Sequence, residues 1–261
     1  MIRALAAAGA LVALALCAAV ADASCIVPNP PTKTVTLEEG VAFDTVTNGQ
    51  NWQERYASFV ARNANQTSVY GRYASDSRFG STDQSYEAGA YQALDKHVIV
   101  DAGGSFSPTH NFLAATTETG GVDWRTNGGY GYQAQFAQRN YPTQIAGITS
   151  LGADRYFGVN HVTAGVTLAN LSSVPGTAVT AHASYTRNLA CDDETIAASG
   201  GRDVEPTGVD GRVAVYKTYD YSANEVHWFS QRFGIDVGVE WALLVGAYDR
   251  FEGRVGLRER L

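Results

Sequence analysis

A two-residue alternation of side-chain character constrains the fold of this sequence more than any other feature. It is clearest between Gly129 and Arg139, where small or polar residues alternate with Tyr130, Tyr132 and Phe136. A β-strand places successive side chains on opposite faces, so such a segment has one apolar face and one polar face. The same pattern recurs along most of the chain, and no segment has convincing helical periodicity.

The spacing of the turns indicates how these strands are connected. Short turns are predicted near Ala64, Asp95, Asn127, Val159 and Ala190. They lie about 32 residues apart, which is the period of two transmembrane strands of about ten residues with one short turn and one longer loop. The sequence therefore predicts an all-β fold, an antiparallel transmembrane β-barrel over residues 35–261. About 14 strands are expected, with 12 as the alternative.

A secreted, soluble β-sandwich with a binding function is the competing interpretation, because its strands also alternate. The polar faces here are rich in Gly, Ser, Thr and Gln, and only 17% of the residues are charged. A soluble sandwich would carry more Lys and Glu on its exposed face. The composition thus favours the barrel and an outer-membrane location in a Gram-negative bacterium.

The chain begins with a segment that is typical of export signals. Arg3 precedes an apolar run from Ala4 to Val20, and a small-x-small cleavage pattern ends at Ala23. We interpret residues 1–23 as a signal peptide and residues 24–34, with three prolines, as an extended periplasmic leader. The net charge of −7 and the lack of a basic run argue against a nucleic-acid partner.

Two regions near the C-terminus are less regular. Residues 204–224 resemble an insertion, and Val213–Tyr219 is either a strand or part of a long loop. The last residues place Arg254, Gly256 and the terminal Leu261 at spacings that resemble the end signal of outer-membrane barrels. Glu259 departs from that signal at a position that is usually apolar or aromatic.

Several short motifs then resemble those of the YaiO-like outer-membrane β-barrel family. The clearest is Arg72-x5-Arg78-Phe79-Gly80-Ser81-Thr82-Asp83, continuing to Tyr91. It is followed by Gly104-x-x-Ser107-Pro108, by Ser150-Leu151-Gly152 with Tyr156-Phe157-Gly158-Val159-Asn160, and by Tyr185-Thr186-Arg187. The resemblance covers most of the chain after residue 23. It implies an outer-membrane barrel inserted by the barrel-assembly machinery, in contact with outer-membrane lipid and lipopolysaccharide. It carries no established activity, and some relatives are associated with surface polysaccharide.

Charged and polar residues on the predicted polar faces are candidates for lining the lumen. They have two interpretations: an eyelet of opposed charges that selects solutes, or an internal salt-bridge network that fills a narrow barrel. The sequence favours the second slightly. The candidates are Arg72, Arg78, Glu87, Asp101, Asp123, Arg125, Gln133, Gln135, Arg139, His182, Asp236 and Glu240.

An enzymatic function is a weaker hypothesis. His182 and Ser184 share one polar face, and a Ser-His-acid set could modify envelope lipid or glycan. Both would face the lumen, away from a lipid substrate. The other histidines show no metal-ligand spacing, so neither a metal nor a cofactor is predicted. The functional expectation is a non-enzymatic barrel that provides a passage for a polar solute or saccharide.

The cysteines suggest one covalent link. Cys25 and Cys191 remain after removal of the signal peptide, in a chain that would be exported to an oxidising compartment. If both chain ends are periplasmic, the leader can reach the turn near Cys191. A Cys25–Cys191 disulfide and two unpaired thiols are equally open alternatives at this point.

Overall fold

The protein forms a closed barrel of fourteen antiparallel strands. The computed structural model describes residues 33–261 apart from positions 48, 50, 66, 209 and 210, so the signal-peptide and leader predictions for residues 1–32 lie outside the described residues. The strands are β1 Thr34–Val46, β2 Trp52–Arg62, β3 Ser68–Arg78, β4 Ser81–Ala93, β5 Val98–Phe106, β6 Thr116–Arg125, β7 Tyr130–Asn140, β8 Ile145–Phe157, β9 Asn160–Leu171, β10 Val174–Asn188, β11 Asp192–Pro206, β12 Val213–Trp228, β13 Phe233–Leu244 and β14 Tyr248–Arg260.

Every strand pairs with its neighbours in sequence, and β14 closes the barrel against β1. The closing register runs from Thr36 opposite Arg260 to Val46 opposite Arg250. Closure leaves no sheet edge with unpaired backbone groups, which is what a sheet needs in order to span a lipid bilayer. The prediction of 14 strands is confirmed, and the alternative of 12 is wrong.

The start of β1 at Thr34, the end of β14 at Arg260 and the short turns lie at one end of the barrel, which we call the termini end. The turns at 94–97, 126–129, 158–159 and 189–191 lie there, as the 32-residue spacing predicts. In the first of these, Asp95 Oδ1 accepts hydrogen bonds from the N–H groups of His97 at 2.6 Å and Val98 at 2.8 Å. These bonds hold the pKa of Asp95 below its usual value. The opposite end, which includes the longer segment 107–115 and the ends of β11 and β12 at Pro206 and Val213, is the loop end.

The outer face of the barrel is apolar, with aromatic side chains near both ends. Near the loop end, Tyr86 and Phe106 are outward and about half exposed. Near the termini end, Trp124 packs beside Tyr132 with ring centroids 5.8 Å apart. Leu151 is paired with Val166 between these rows. An apolar band between two aromatic girdles is the surface of a barrel that lies in a bilayer.

The region 204–224, which has poor sequence signals, is β-structure for most of its length. β11 continues to Pro206 and β12 begins at Val213, and the two stay paired up to these residues. The possibility that Val213–Tyr219 is a strand is therefore confirmed. Within the described part of the chain, no helix is long and apolar enough to cross a membrane.

Candidate functional site in the barrel lumen

The paired registers place all twelve predicted lumen residues on inward-facing positions. Arg72 is opposite Glu87, Asp123 is opposite Gln133, and Asp236 is opposite Gly256, each pair on the inner side of the wall. Asp101, Arg125, Gln135, Arg139, His182 and Glu240 follow at alternate positions of their strands, and Arg78 lies further along β3. They do not converge on one point, because they come from seven strands at different heights.

The tip of the β11–β12 hairpin lies inside the loop end of the lumen. We call its described residues, 202–208 and 211–217, the inserted hairpin. β10 pairs with β11 only as far as Thr180 opposite Gly201, and β13 pairs with β12 only up to Thr218. Gly201 has a φ of +155°, and a Cβ there would lie 2.2 Å from the Val179 carbonyl oxygen. The hairpin leaves the wall at this glycine, since other residues would collide with β10.

The inserted hairpin packs against the inside of the neighbouring part of the wall, formed by β8 to β10. Val204 and Val213 are buried against Ala146, Ala169, Leu171 and neighbouring side chains, which lie on the inner faces of β8 to β10. Gln144 Nε2 also donates to the Val213 carbonyl oxygen at 3.0 Å. The other face of the hairpin carries Asp203 and Glu205, which line the lumen.

A second segment, residues 107–115, folds beneath the inserted hairpin. Asp83 anchors it: Oδ1 accepts from the N–H and Nδ2 of Asn111, and Oδ2 accepts from the N–H groups of Phe112 and Leu113, all at 2.8–2.9 Å. Phe112 is completely buried. The Gly211 N–H donates to the Asn111 carbonyl oxygen at 2.7 Å, which ties the two segments together.

An aromatic cluster fills the space beside Phe112. Phe79 lies edge-on between Trp52 and Phe112, with ring centroids 5.0 and 6.0 Å away. Trp52 also contacts Tyr248 edge-on at 5.3 Å. The Arg78 guanidinium lies 5.1 Å from the Trp52 ring and 5.8 Å from the Phe112 ring. Together with the inserted hairpin, this cluster occupies the loop end of the lumen.

The wall around β14 carries a network of ion pairs. Arg250 contacts Asp44, Glu240 and Glu252. Arg258 Nε lies 2.9 Å from Glu38 Oε2, and its Nη2 lies 2.5 Å from Asp236 Oδ2. Arginines four residues apart on one strand face the same way, so Arg250, Arg254 and Arg258 form a column that holds these carboxylates. Among the predicted lumen residues, Asp236 and Glu240 therefore belong to a structural network.

The wall formed by β4 to β8 is different. Glu87, Asp101 and Asp123 form no ion pair with any described residue, and Asp154 is paired only with His161, at 3.2 Å. Arg125 lies over the Tyr156 ring. Taking all inward positions of the described strands, carboxylates outnumber arginines. The lumen is therefore net negative.

Two adjoining cavities remain inside the barrel. One, of about 730 Å³, lies under the inserted hairpin and reaches from Arg72 across to Thr167. The other, of about 600 Å³, lies toward the termini end and is lined by Tyr70, Tyr91, Asp123 and others. Arg72 and Glu87 line both cavities, so these residues mark the point where the two meet. Arg72 is held there by Glu54 and by the Tyr56 ring.

The residues considered for catalysis do not form a triad. His182 lies on the inner wall beside Gly165, where a Cβ would be 2.6 Å from its Nε2. Ser184 Oγ is 2.6 Å from Thr163 Oγ1. The hydrogen-bond partner of Ser184 is thus a threonine. Activation of a serine nucleophile requires a base within hydrogen-bond distance, and a threonine hydroxyl is not such a base.

Of the two cysteines in the predicted disulfide, only Cys191 is among the described residues. Cys191, next to the turn at 189–191, is disulfide-bonded. Cys25 lies outside the described residues, so the Cys25–Cys191 pairing stays a prediction.

Sequence reasoning missed the residues that close the lumen. Asp83 and Phe79 belong to a motif that was noticed only as a resemblance, and Phe112 lies outside the segments with two-residue alternation. One signal was present: Asp83 is a charged residue inside an otherwise alternating strand, directly after a tight turn. Its loop partners lie about 30 residues away, which no local pattern reveals.

Comparison with known proteins gives the fold. No family model and no curated protein matches this sequence. Among solved structures, it is similar to the CymD monoaromatic hydrocarbon channel, with a TM-score of 0.63 and 7% identity over 88% of each chain. It is also similar to a bacterial polysaccharide outer membrane secretin, with a TM-score of 0.53 and 7% identity over 87% of this chain and 98% of that one. At these identities the likeness concerns architecture alone, and it establishes that the chain has the fold of an outer-membrane β-barrel.

Proposed function

We propose that this protein is a non-enzymatic outer-membrane barrel that gives a small polar solute or saccharide a gated route across the membrane. The observation that carries the proposal is the pair of adjoining cavities, which meet at Arg72 and Glu87 beneath the inserted hairpin. A barrel filled for structural reasons alone has no need of continuous polar space along its lumen.

Location in the outer membrane follows from the outer surface. The apolar band and the two aromatic girdles fit a bilayer, and the signal peptide predicted for residues 1–23 is consistent with this. Since β1 begins and β14 ends at the termini end, that end would face the periplasm and the inserted hairpin would close the barrel from the cell surface. Cell fractionation with heat-modifiable gel mobility tests this placement.

The polar solute would meet both charges and aromatic rings. Tyr70 and Tyr91 pack against each other at 5.7 Å and line the cavity at the termini end. Rings of this kind stack on sugar faces, while Glu87 and Asp123 can accept hydrogen bonds from hydroxyl groups. Both features support a saccharide or another hydroxyl-rich solute.

Membership of the YaiO-like family is likewise a proposal. What supports it is the position of the motif that carries the resemblance. Arg72 lines the junction of the cavities, Phe79 packs in the aromatic cluster, and Asp83 anchors the segment 107–115. These motif residues therefore have a defined structural task in closing the lumen.

Planar-bilayer conductance tests the passage. We expect the wild-type barrel to conduct rarely, and a variant in which a short glycine turn replaces residues 203–216 to conduct persistently. The control replaces Lys96, an exposed residue of the turn 94–97 at the termini end, with Gly and should behave as the wild type. A shortened variant that migrates as a folded barrel and conducts no ions, with or without saccharide, would remove the proposal.

A further inference from the structure

A group of metal-ligating side chains lies outside the lumen, at the termini end of β11 and β12. Asp192 is the first residue of β11 and is paired with His227 near the end of β12, while Glu194 is paired with Glu225. Residues two apart on a strand share a face. The alternate positions 193, 195 and 197 face the lumen, so this group lies on the outer side of the barrel rim.

The geometry of the group is that of a potential coordination site. One ligand atom from each of Asp192, Glu225 and His227 lies within 4.8 Å of the others. Zinc binds nitrogen and oxygen ligands at about 2.0–2.2 Å, so two ligand atoms on one ion are at most about 4.4 Å apart. Small side-chain rotations that shift the ligand atoms by a few tenths of an ångström would let all three coordinate one ion.

Partial burial and neighbouring groups hold the imidazole in place. The His227 side chain is 10% exposed, and its Nδ1 is 2.5 Å from Asp192 Oδ1. The Phe229 ring contacts it edge-on at 4.8 Å. A backbone hydrogen bond of 2.9 Å from Trp228 to Cys191 joins the two strands beside it. A preformed rim of this kind lowers the entropy cost of binding an ion.

The charges around the group are incompletely balanced. Glu194 and Glu225 are opposite each other, and neither forms an ion pair with any residue in the described part of the chain. Two carboxylates in close proximity repel unless a cation lies near them. Arg187 is the cross-strand neighbour of Glu194 on β10, so one guanidinium and one imidazole supply at most two positive charges to three acidic side chains. This is the imbalance that a divalent ion would correct.

We propose that Asp192, Glu225 and His227 bind one divalent transition-metal ion, with Zn²⁺ as the best match. An imidazole nitrogen favours zinc over Mg²⁺ or Ca²⁺, which prefer oxygen ligands only. Three protein ligands leave a position for water or for a lipid phosphate at the membrane surface. The site is independent of the proposed passage, because it lies outside the lumen.

Isothermal titration of the refolded barrel with Zn²⁺ tests the site, in detergent, without a polyhistidine tag and without reductant. The wild type should bind one equivalent, and Mg²⁺ should bind more weakly. His227→Asn should abolish the binding. Glu225→Gln, which leaves the Asp192–His227 pair intact, should weaken it by at least about tenfold, since even indirect ligand partners contribute that much.

The chain offers a matched control in the Asp154–His161 pair, whose Nε2–Oδ2 distance is 3.2 Å. Within the described residues, no third ligand lies in range of that pair to make a second metal-ligating group. His161→Asn should therefore bind zinc as the wild type does. Absence of saturable zinc binding in the wild type, or wild-type affinity in a folded Glu225→Gln variant, would overturn the proposal. Neither result would affect the conductance test.

Discussion

The two ends of the lumen are built on opposite principles. At the loop end, Phe112 is completely buried and the inserted hairpin packs its valines against the inner wall. At the termini end, Tyr91 is 39% exposed beside Asp123 and an open cavity. The same fourteen strands surround both ends, so the difference comes from what enters the lumen and not from the wall. Closing one end with packed side chains allows the other to stay polar and hydrated.

The two charged walls show a parallel division. The carboxylates near β14 are each held by an arginine, whereas Glu87, Asp101 and Asp123 on the other wall form no ion pair with a residue that the structure describes. Buried charges are costly unless they are paired. Unpaired carboxylates can persist only where water reaches them, so the second wall marks the hydrated side of the lumen. The interpretation as an internal salt-bridge network thus describes the wall near β14, and the interpretation as a charged eyelet describes the wall formed by β4 to β8.

The largest predicted effect is the loss of Phe112. Phe112→Ala should lower the free energy of unfolding by about 3–5 kcal/mol, because a fully buried ring is replaced by a cavity. Urea unfolding monitored by heat-modifiable gel mobility measures this. Tyr91→Ala is the control in the open end and should cost about 1 kcal/mol, the worth of its ring pair with Tyr70. Equal losses would contradict the division into a packed and an open end.

The inner and outer faces of the wall can be tested at adjacent positions. Val166 is 38% exposed on the outer face, and Thr167 Oγ1 lies 3.0 Å from Ser150 Oγ on the inner face. Val166→Arg should reduce the stability of the inserted barrel by about 2–4 kcal/mol, since it places a charge in lipid. Thr167→Arg should be tolerated beside the cavity. Similar yields of folded barrel in liposomes would show that the assigned faces are incorrect.

The anchor of the segment 107–115 gives a smaller, local effect. Asp83→Ala removes the acceptor of four hydrogen bonds and should destabilise that segment by about 2–3 kcal/mol. Chymotrypsin should then cut at Phe112 or Leu113, which are protected in the wild type. Asp101→Ala, in the open end, should leave the segment resistant. Resistance of the Asp83 variant would mean that the segment is held by packing alone.

The smallest predicted effect concerns ion selectivity. With the inserted hairpin shortened, the net negative lumen should favour K⁺ over Cl⁻, measured as the reversal potential in a KCl gradient. Asp101→Asn combined with Asp123→Asn should reduce this preference. Glu240→Gln is the matched control and should change it less, because Arg250 already neutralises that carboxylate. Selectivity for anions would show that the arginine column dominates the field.

Local sequence patterns were sufficient to predict the strands that form the wall of the barrel. Alternation such as that of Tyr130, Tyr132 and Phe136 depends only on neighbouring residues, and it predicted which side chains face outward. The regular spacing of the short turns likewise predicted the number of strands. Both signals arise because a strand that crosses a bilayer has a required length and a required apolar face.

Only the tertiary structure decided what fills the barrel. The departure of the β11–β12 hairpin from the wall depends on where its neighbours stop pairing with it, and no signal within residues 202–217 records that. Asp83 accepts a hydrogen bond from Phe112, 29 residues later in the sequence, and Asp192 contacts His227, 35 residues later. Such contacts are set by the register of strands around a closed circle. The sequence by itself therefore determined a membrane-type barrel with a polar interior, while closure of one end and the grouping of the rim ligands came from long-range pairing.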